Sequence, residues 1–335
     1  MSLLPFHPRH FATLAAFVAL LSAGLLHAQS ALDEVIRREA ASTEATPVHG
    51  KDNWRFLRAE LRHLAAISAP DFALKPATGP LQAITEFQKA LAARSIRLVL
   101  VPIPEKARIR CDQLAAGITP NAAQPLDKAA AALYEQLKKE GIEVLDLTAA
   151  FRAEVAKGAD PGYCRTDSHF TPRFCELTAA ELAKTCQAAL PDLAKTAGPT
   201  TAEETTITIT GDLAASGDSE TLKSRTISLQ GGGLIEPAER SPVLLLGDSH
   251  CLIFHAGGDM LASGTGLSDH LTAALGTVPA VVGVRGGGAT ASRVNLYRKA
   301  SKDKAFLPAT KIVLWCLAAR DLTQAVDWKP VPLPK

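Results

Sequence analysis

Gly-Asp-Ser occurs twice in the chain, in SPVLLLGDSHCLIF (241–254) and in LAASGDSETL (213–222). A serine hydroxyl becomes a nucleophile only when a base within hydrogen-bond reach takes its proton and a carboxylate orients that base. Ser249 ends an apolar run that reads as a strand, and Gly247 permits the tight turn that follows. A helix is expected to begin there, its first amides aimed at any oxyanion formed beside the serine. Ser219 follows no strand and sits in a polar stretch, so its triplet is read as coincidence.

Nine histidines could serve as the base. His169, in YCRTDSHFTPRF, has the best context: Asp167 lies two residues before it, and Thr171-Pro172 reads as a helix N-cap followed by proline at the first helical position. Carboxylate and imidazole at that spacing can meet through a tight turn. The trio is Ser249 as nucleophile, His169 as base and Asp167 as orienting acid. Asp269 and His270 are adjacent, so a helix would splay them apart, and they are expected at the surface. His250 should point away from Ser249 and line the pocket or pack, and His255 is assigned a structural role. On chemistry alone, the trio stands level with a reading of all three as loop and cap residues.

Those residues need a scaffold, and five short apolar runs supply it: 96–104, 141–147, 242–248, 280–286 and 311–318. Each is nearly continuous in apolar character and bounded by Gly, Pro or charge, as in strands buried on both faces of a parallel sheet. Helical patterns such as LQAITEFQKALAARS and LDKAAAALYEQLKKEG lie between them. The alternation predicts a three-layer α/β/α sandwich with a mainly parallel sheet over 51–325 and a tail at 326–335. A polar, Thr-rich insertion at about 200–240 reads as an added β-hairpin or loop.

The 335 residues are 47% hydrophobic, enough for a sizeable core. A net charge of +2, with basic residues scattered, gives no footprint for nucleic acid. No metal cluster, phosphate loop or dinucleotide fingerprint is present, so no cofactor and no metal are assigned. Residues 1–28 have the layout of a secretory leader cleaved after Ala28, with an uncleaved membrane anchor as the alternative, and residues 29–50 read as a polar linker. The protein is therefore expected in the periplasm or otherwise exported. Six cysteines would then meet an oxidising compartment, either with Cys164 bridged to Cys175 or as buried thiols.

Seven segments, in order, resemble the SGNH-hydrolase-like O-acetyltransferases of the alginate O-acetyltransferase (AlgX/AlgJ) type: GKDNWRFL, LVLVPIPEKARI, GIEVLDL, TDSHFTP, GDLA, VLLLGDSH and LWCLAARDL. The resemblance runs from about 48 to 322. It implies an SGNH-like fold and ping-pong transfer of an acetyl group through a Ser249 ester to hydroxyls of an exopolysaccharide or cell-wall glycan. It also implies a membrane-bound O-acyltransferase as donor, with the Ser249 amide and Gly287 or Gly288 in RGGGATAS as oxyanion donors. An acetyl esterase using the same trio, or a catalytically silent glycan-binding subunit, are the alternatives. The chain departs from the family pattern at His250-Cys251 and lacks a recognisable SGNH asparagine block. Arg320 is placed at the end of the last strand, in a salt bridge or solvent, and Lys106 is left without a role.

Overall fold

The structure, a computed structural model, describes residues 9–75 and 78–334, with side chains from Ser22 onward. Nine strands occur among these residues: β1 (Val48–His49), β2 (Arg55–Phe56), β3 (Arg97–Ile103), β4 (Glu143–Val144), β5 (Thr200–Ile209), β6 (Glu220–Leu229), β7 (Val243–Gly247), β8 (Ala280–Gly283) and β9 (Ile312–Ala318). All five predicted runs become strands of one sheet, in the order β4-β3-β9-β7-β8, and every pairing in it is parallel. Helices cover both faces. The predicted helical patterns fold as Gly79–Ala92 and Gln124–Lys139. At the sheet centre Trp315 is fully buried, with Phe87 edge-on at 5.3 Å and the Arg293 guanidinium over its ring at 5.5 Å.

Because the strands run parallel, their carboxyl ends gather on one rim, where open α/β sheets bind ligands. β3 delivers Glu105 and Lys106 there, β7 Asp248 and Ser249, β8 Arg285 and Gly286, and β9 Arg320. Gly247 is needed for packing rather than for an unusual φ: a Cβ there would stand 2.0 Å from the Cys316 carbonyl oxygen of β9 and 2.7 Å from Cys251 Sγ. Gly247→Ala must push two core strands apart, and a loss of about 3 kcal/mol is expected, read as a lower urea midpoint.

The expected leader falls partly on residues 1–8, which lie outside the described residues. From Arg9 the chain is one helix to Ala41. No helix among the described residues is long and apolar enough to cross a membrane. Within residues 29–50, read from the sequence as a polar linker, the chain is helical to Ala41 and Val48–His49 form β1. Leu32, Val35 and Ile36 are buried on the helix face that packs on Arg58–Ile67, an i, i+3, i+4 pattern masked by the polar composition around it. Arg58 fastens the irregular segment beyond, donating to the Glu44 carbonyl at 3.1 Å.

The insertion is an antiparallel hairpin of two ten-residue strands, β5 with β6. All six cysteines are buried and unbridged, so the Cys164–Cys175 bridge is absent.

Candidate active site

The segment from Tyr163 to Phe170 forms a closed loop, bridged at its two ends and tied by the Cys164 amide donating to the His169 carbonyl at 3.1 Å. It rests on the buried aromatic rings of Phe151, Tyr163, Phe170 and Phe174. Thr171 caps the helix Pro172–Ala189, its hydroxyl accepting from the Phe174 amide as expected. Within this loop Asp167 Oδ1 accepts from His169 Nδ1 at 2.7 Å and from the His169 amide at 2.9 Å. His169 Nε2 lies 2.6 Å from Ser249 Oγ, across 80 residues of sequence. The three residues singled out by chemistry therefore meet in one hydrogen-bonded chain.

Three groups absent from the sequence-derived trio hold the loop. Asp212, in the GDLA turn, donates its amide to Asp167 Oδ2 at 2.9 Å and accepts from the Ser168 amide and hydroxyl at 2.7 and 2.6 Å. Gly211 makes this approach feasible, since a Cβ there would stand 2.2 Å from the Thr166 carbonyl oxygen. Glu220, buried at the start of β6, accepts from the Arg165 and Thr166 amides at 2.9 and 3.1 Å. The hairpin is thus a buttress rather than an appendage. Lys106, 1% exposed, donates to the carbonyls of Arg55, Arg165 and Asp167 at 2.5, 3.0 and 2.9 Å, and lies over the rings of Trp54 and Phe56. Burial pushes its ammonium down to about 8.

Electrostatics favour a proton on His169. Burial disfavours the charged ring, but the hydrogen bond and negative charge of Asp167 outweigh it and raise the imidazole pKa above its ordinary 6.5. Burial would likewise raise Asp167, and the hydrogen bond from His169 overrides it, holding the carboxylate ionised. Asp167, His169 and Asp212 present donor atoms within 4.8 Å of one another, the only such cluster among the described residues. Its oxygens and Nδ1 are already engaged in the bonds above.

Ser249 opens onto a cavity of about 680 Å³ walled by the Asp167–His169 loop, the end of β5, Met260, Arg285 and Arg320. Arg285 pairs with Asp259, and Arg320 lies 3.8 Å from the buried Glu60. Arg320 thus has both a salt bridge and a face on the site. Several expectations need correction. Only a three-residue 3-10 turn, Ser249–Cys251, follows the serine, because Phe254 and Leu261 adopt positive φ and Gly257-Gly258 interrupt the segment. Such a turn contributes little dipole. In the glycine run Gly286 reaches the cavity wall, whereas Gly287 caps and Gly288 begins the helix Gly288–Lys302, and neither lines the cavity. Asp269 and His270 are buried, not exposed. Asp269 accepts from His255 Nδ1 at 2.9 Å, which gives His255 its structural role. Ser219 is exposed, between β5 and β6.

The family described as SGNH hydrolase-like domain, acetyltransferase AlgX, matches residues 48–318. The chain belongs to this family. As an SGNH-like acetyltransferase domain it is an enzyme of the SGNH-type O-acetyltransferase class. Its fold is that of the O-acetyltransferase domain of Pseudomonas putida AlgJ, at a TM-score of 0.59 and 22% identity over 83% of this chain and 92% of that one. Pseudomonas aeruginosa AlgX superposes equally well, at a TM-score of 0.59 and 17% identity over 82% of this chain and 66% of that one. No curated protein matches the chain.

Proposed function

We propose that this acetyltransferase carries the acetyl group as an ester on Ser249 and passes it to hydroxyls of an alginate-like polysaccharide outside the cytoplasm. The observation that carries the proposal is the unbroken chain Ser249–His169–Asp167 at the mouth of the rim cavity.

In the first half-reaction Ser249 Oγ attacks the acetyl carbonyl while its proton passes to His169 Nε2. Asp167 balances the imidazolium that results. The tetrahedral intermediate collapses, the bond to the donor's leaving group breaks, and that group takes the proton from His169. In the second, a sugar hydroxyl gives its proton to His169, attacks the ester carbonyl, and the serine alkoxide leaves and is reprotonated. The Ser249 amide is the first oxyanion donor. The second donor is proposed from the glycine run 286–288, of which Gly286 lies on the cavity wall.

Arg285 and Arg320 on the wall suit an acceptor bearing carboxylates. The leader-like N-terminus supports export, and a membrane-bound O-acyltransferase is the proposed source of acetyl groups. Incubation with a chromogenic acetyl ester and a uronate oligosaccharide should yield acetylated oligosaccharide by mass spectrometry. Release of free acetate alone, with the oligosaccharide unmodified, would replace transfer by an esterase activity. Since the base must be neutral to accept the serine proton, kcat/KM should fall on acidification through an inflection above pH 6.5, the direction in which His169 is shifted.

A further inference from the structure

Ser249 lies inside a second Asp-x-His turn. Asp248-Ser249-His250 repeats Asp167-Ser168-His169 residue for residue, and the two segments share the same pair of carboxylate-to-histidine hydrogen bonds. As in the first, one carboxylate oxygen, Asp248 Oδ1, accepts from the amide and Nδ1 of the histidine two residues on, at 2.9 and 2.8 Å. Asp248 Oδ2 accepts from the Ala318 amide of β9 at 2.8 Å, which ties the serine's turn to the neighbouring strand. The two buried imidazoles meet edge to face, ring centroids 4.9 Å apart and planes at 61°, with Phe170 against His250 at 5.1 Å.

We infer that His250 is a positioning residue for the Ser249–His169 pair. Its ring walls the imidazole of His169, and its Nδ1–H compensates the carboxylate that anchors the serine's turn. The inference rests on the acyl-transfer reading above.

The surrounding charges give the arrangement a direction. His169 faces Asp167, Asp212 and Asp248, and His250 faces Asp248, His169 and Arg320. Two imidazoles in contact resist double protonation. Burial pushes His250 down, against the pull of Asp248, while His169 is shifted up, so a single proton settles on the ring bonded to the serine. Phenylalanine at 250 keeps a ring against His169 but removes the donor to Asp248, leaving that negative charge less compensated beside His169. Asparagine keeps an N–H donor at the place of Nδ1 and removes the rest of the ring.

The test measures kcat/KM against pH for His250→Phe, His250→Asn and the parent enzyme. In parallel, the His169 imidazole is titrated by 15N NMR, assigned with His169→Gln. His250→Phe should move the acidic inflection and the NMR titration upward by about half a pH unit or more. His250→Asn should leave both where they are in the parent while lowering kcat about tenfold, because His169 loses its wall. An unmoved inflection and titration in His250→Phe, or an equal shift in His250→Asn, would overturn the inference. The NMR titration reads His169 without turnover, so it decides even if a variant is inactive. Failure of the acyl-transfer reading shows separately, as turnover that survives loss of the Ser249 hydroxyl.

Discussion

Ser249→Ala is expected to lower acetyl-ester turnover by more than about 10³-fold and to abolish the covalent acetyl adduct on the protein. The size follows from the chemistry: no other hydroxyl among the described residues is bonded to His169 Nε2, and an alanine at 249 leaves the base with no nucleophile to activate. The fold should be unaffected, because the Asp248 carboxylate holds the turn through backbone amides that the substitution leaves in place. Ser219→Ala is the matched control, with the same sequence triplet on an exposed connection, and should retain parental activity. Comparable activity in the two variants would place the nucleophile elsewhere. Intact-protein mass after a short incubation with ester donor reads the adduct directly.

Asp167→Asn should cost about 10³- to 10⁴-fold in kcat, with a smaller effect on KM. Asp167 Oδ1 accepts the Nδ1–H of His169 and so fixes the tautomer whose Nε2 lone pair faces the serine. An amide can present an N–H to Nδ1 instead and lock the opposite tautomer, with Nε2 protonated toward Ser249. It also removes the negative charge that raises the imidazole pKa against burial, so the acidic inflection of the residual activity should move down from its parental position. A fall in kcat with an unmoved inflection would show that Asp167 orients the ring without influencing its charge. An unchanged kcat would remove Asp167 from the mechanism.

The five core strands were legible because a strand buried on both faces writes its burial into consecutive residues. The Asp167–His169 pair was legible because its geometry closes within three residues, and the Thr171-Pro172 start of the next helix is equally local. Asp212, Glu220 and Lys106 were not, for they hold the loop largely through backbone groups 44, 54 and 61 residues away. A carboxylate that accepts main-chain N–H bonds carries no side-chain pattern of its own, and its partner exists only once the hairpin folds back. The helix expected after Ser249 failed for a related reason. Its apolar spacing belongs to a loop packed in the core, where positive φ at Phe254 and Leu261 breaks any helix. In the same way the polar composition of 29–41 hid a helix whose buried face is only three or four side chains wide.

What the amino-acid order determined by itself was the five core strands, the two helical patterns between them and the local Asp-x-His turn, since hydrophobic periodicity and turn closure depend on near neighbours alone. The meeting of His169 with Ser249, the buttress from the hairpin, and the burial that decides which imidazole holds a proton belong to the tertiary structure. Those depend on which strands lie side by side and on how much water the packed rim excludes, and neither quantity exists for a segment in isolation.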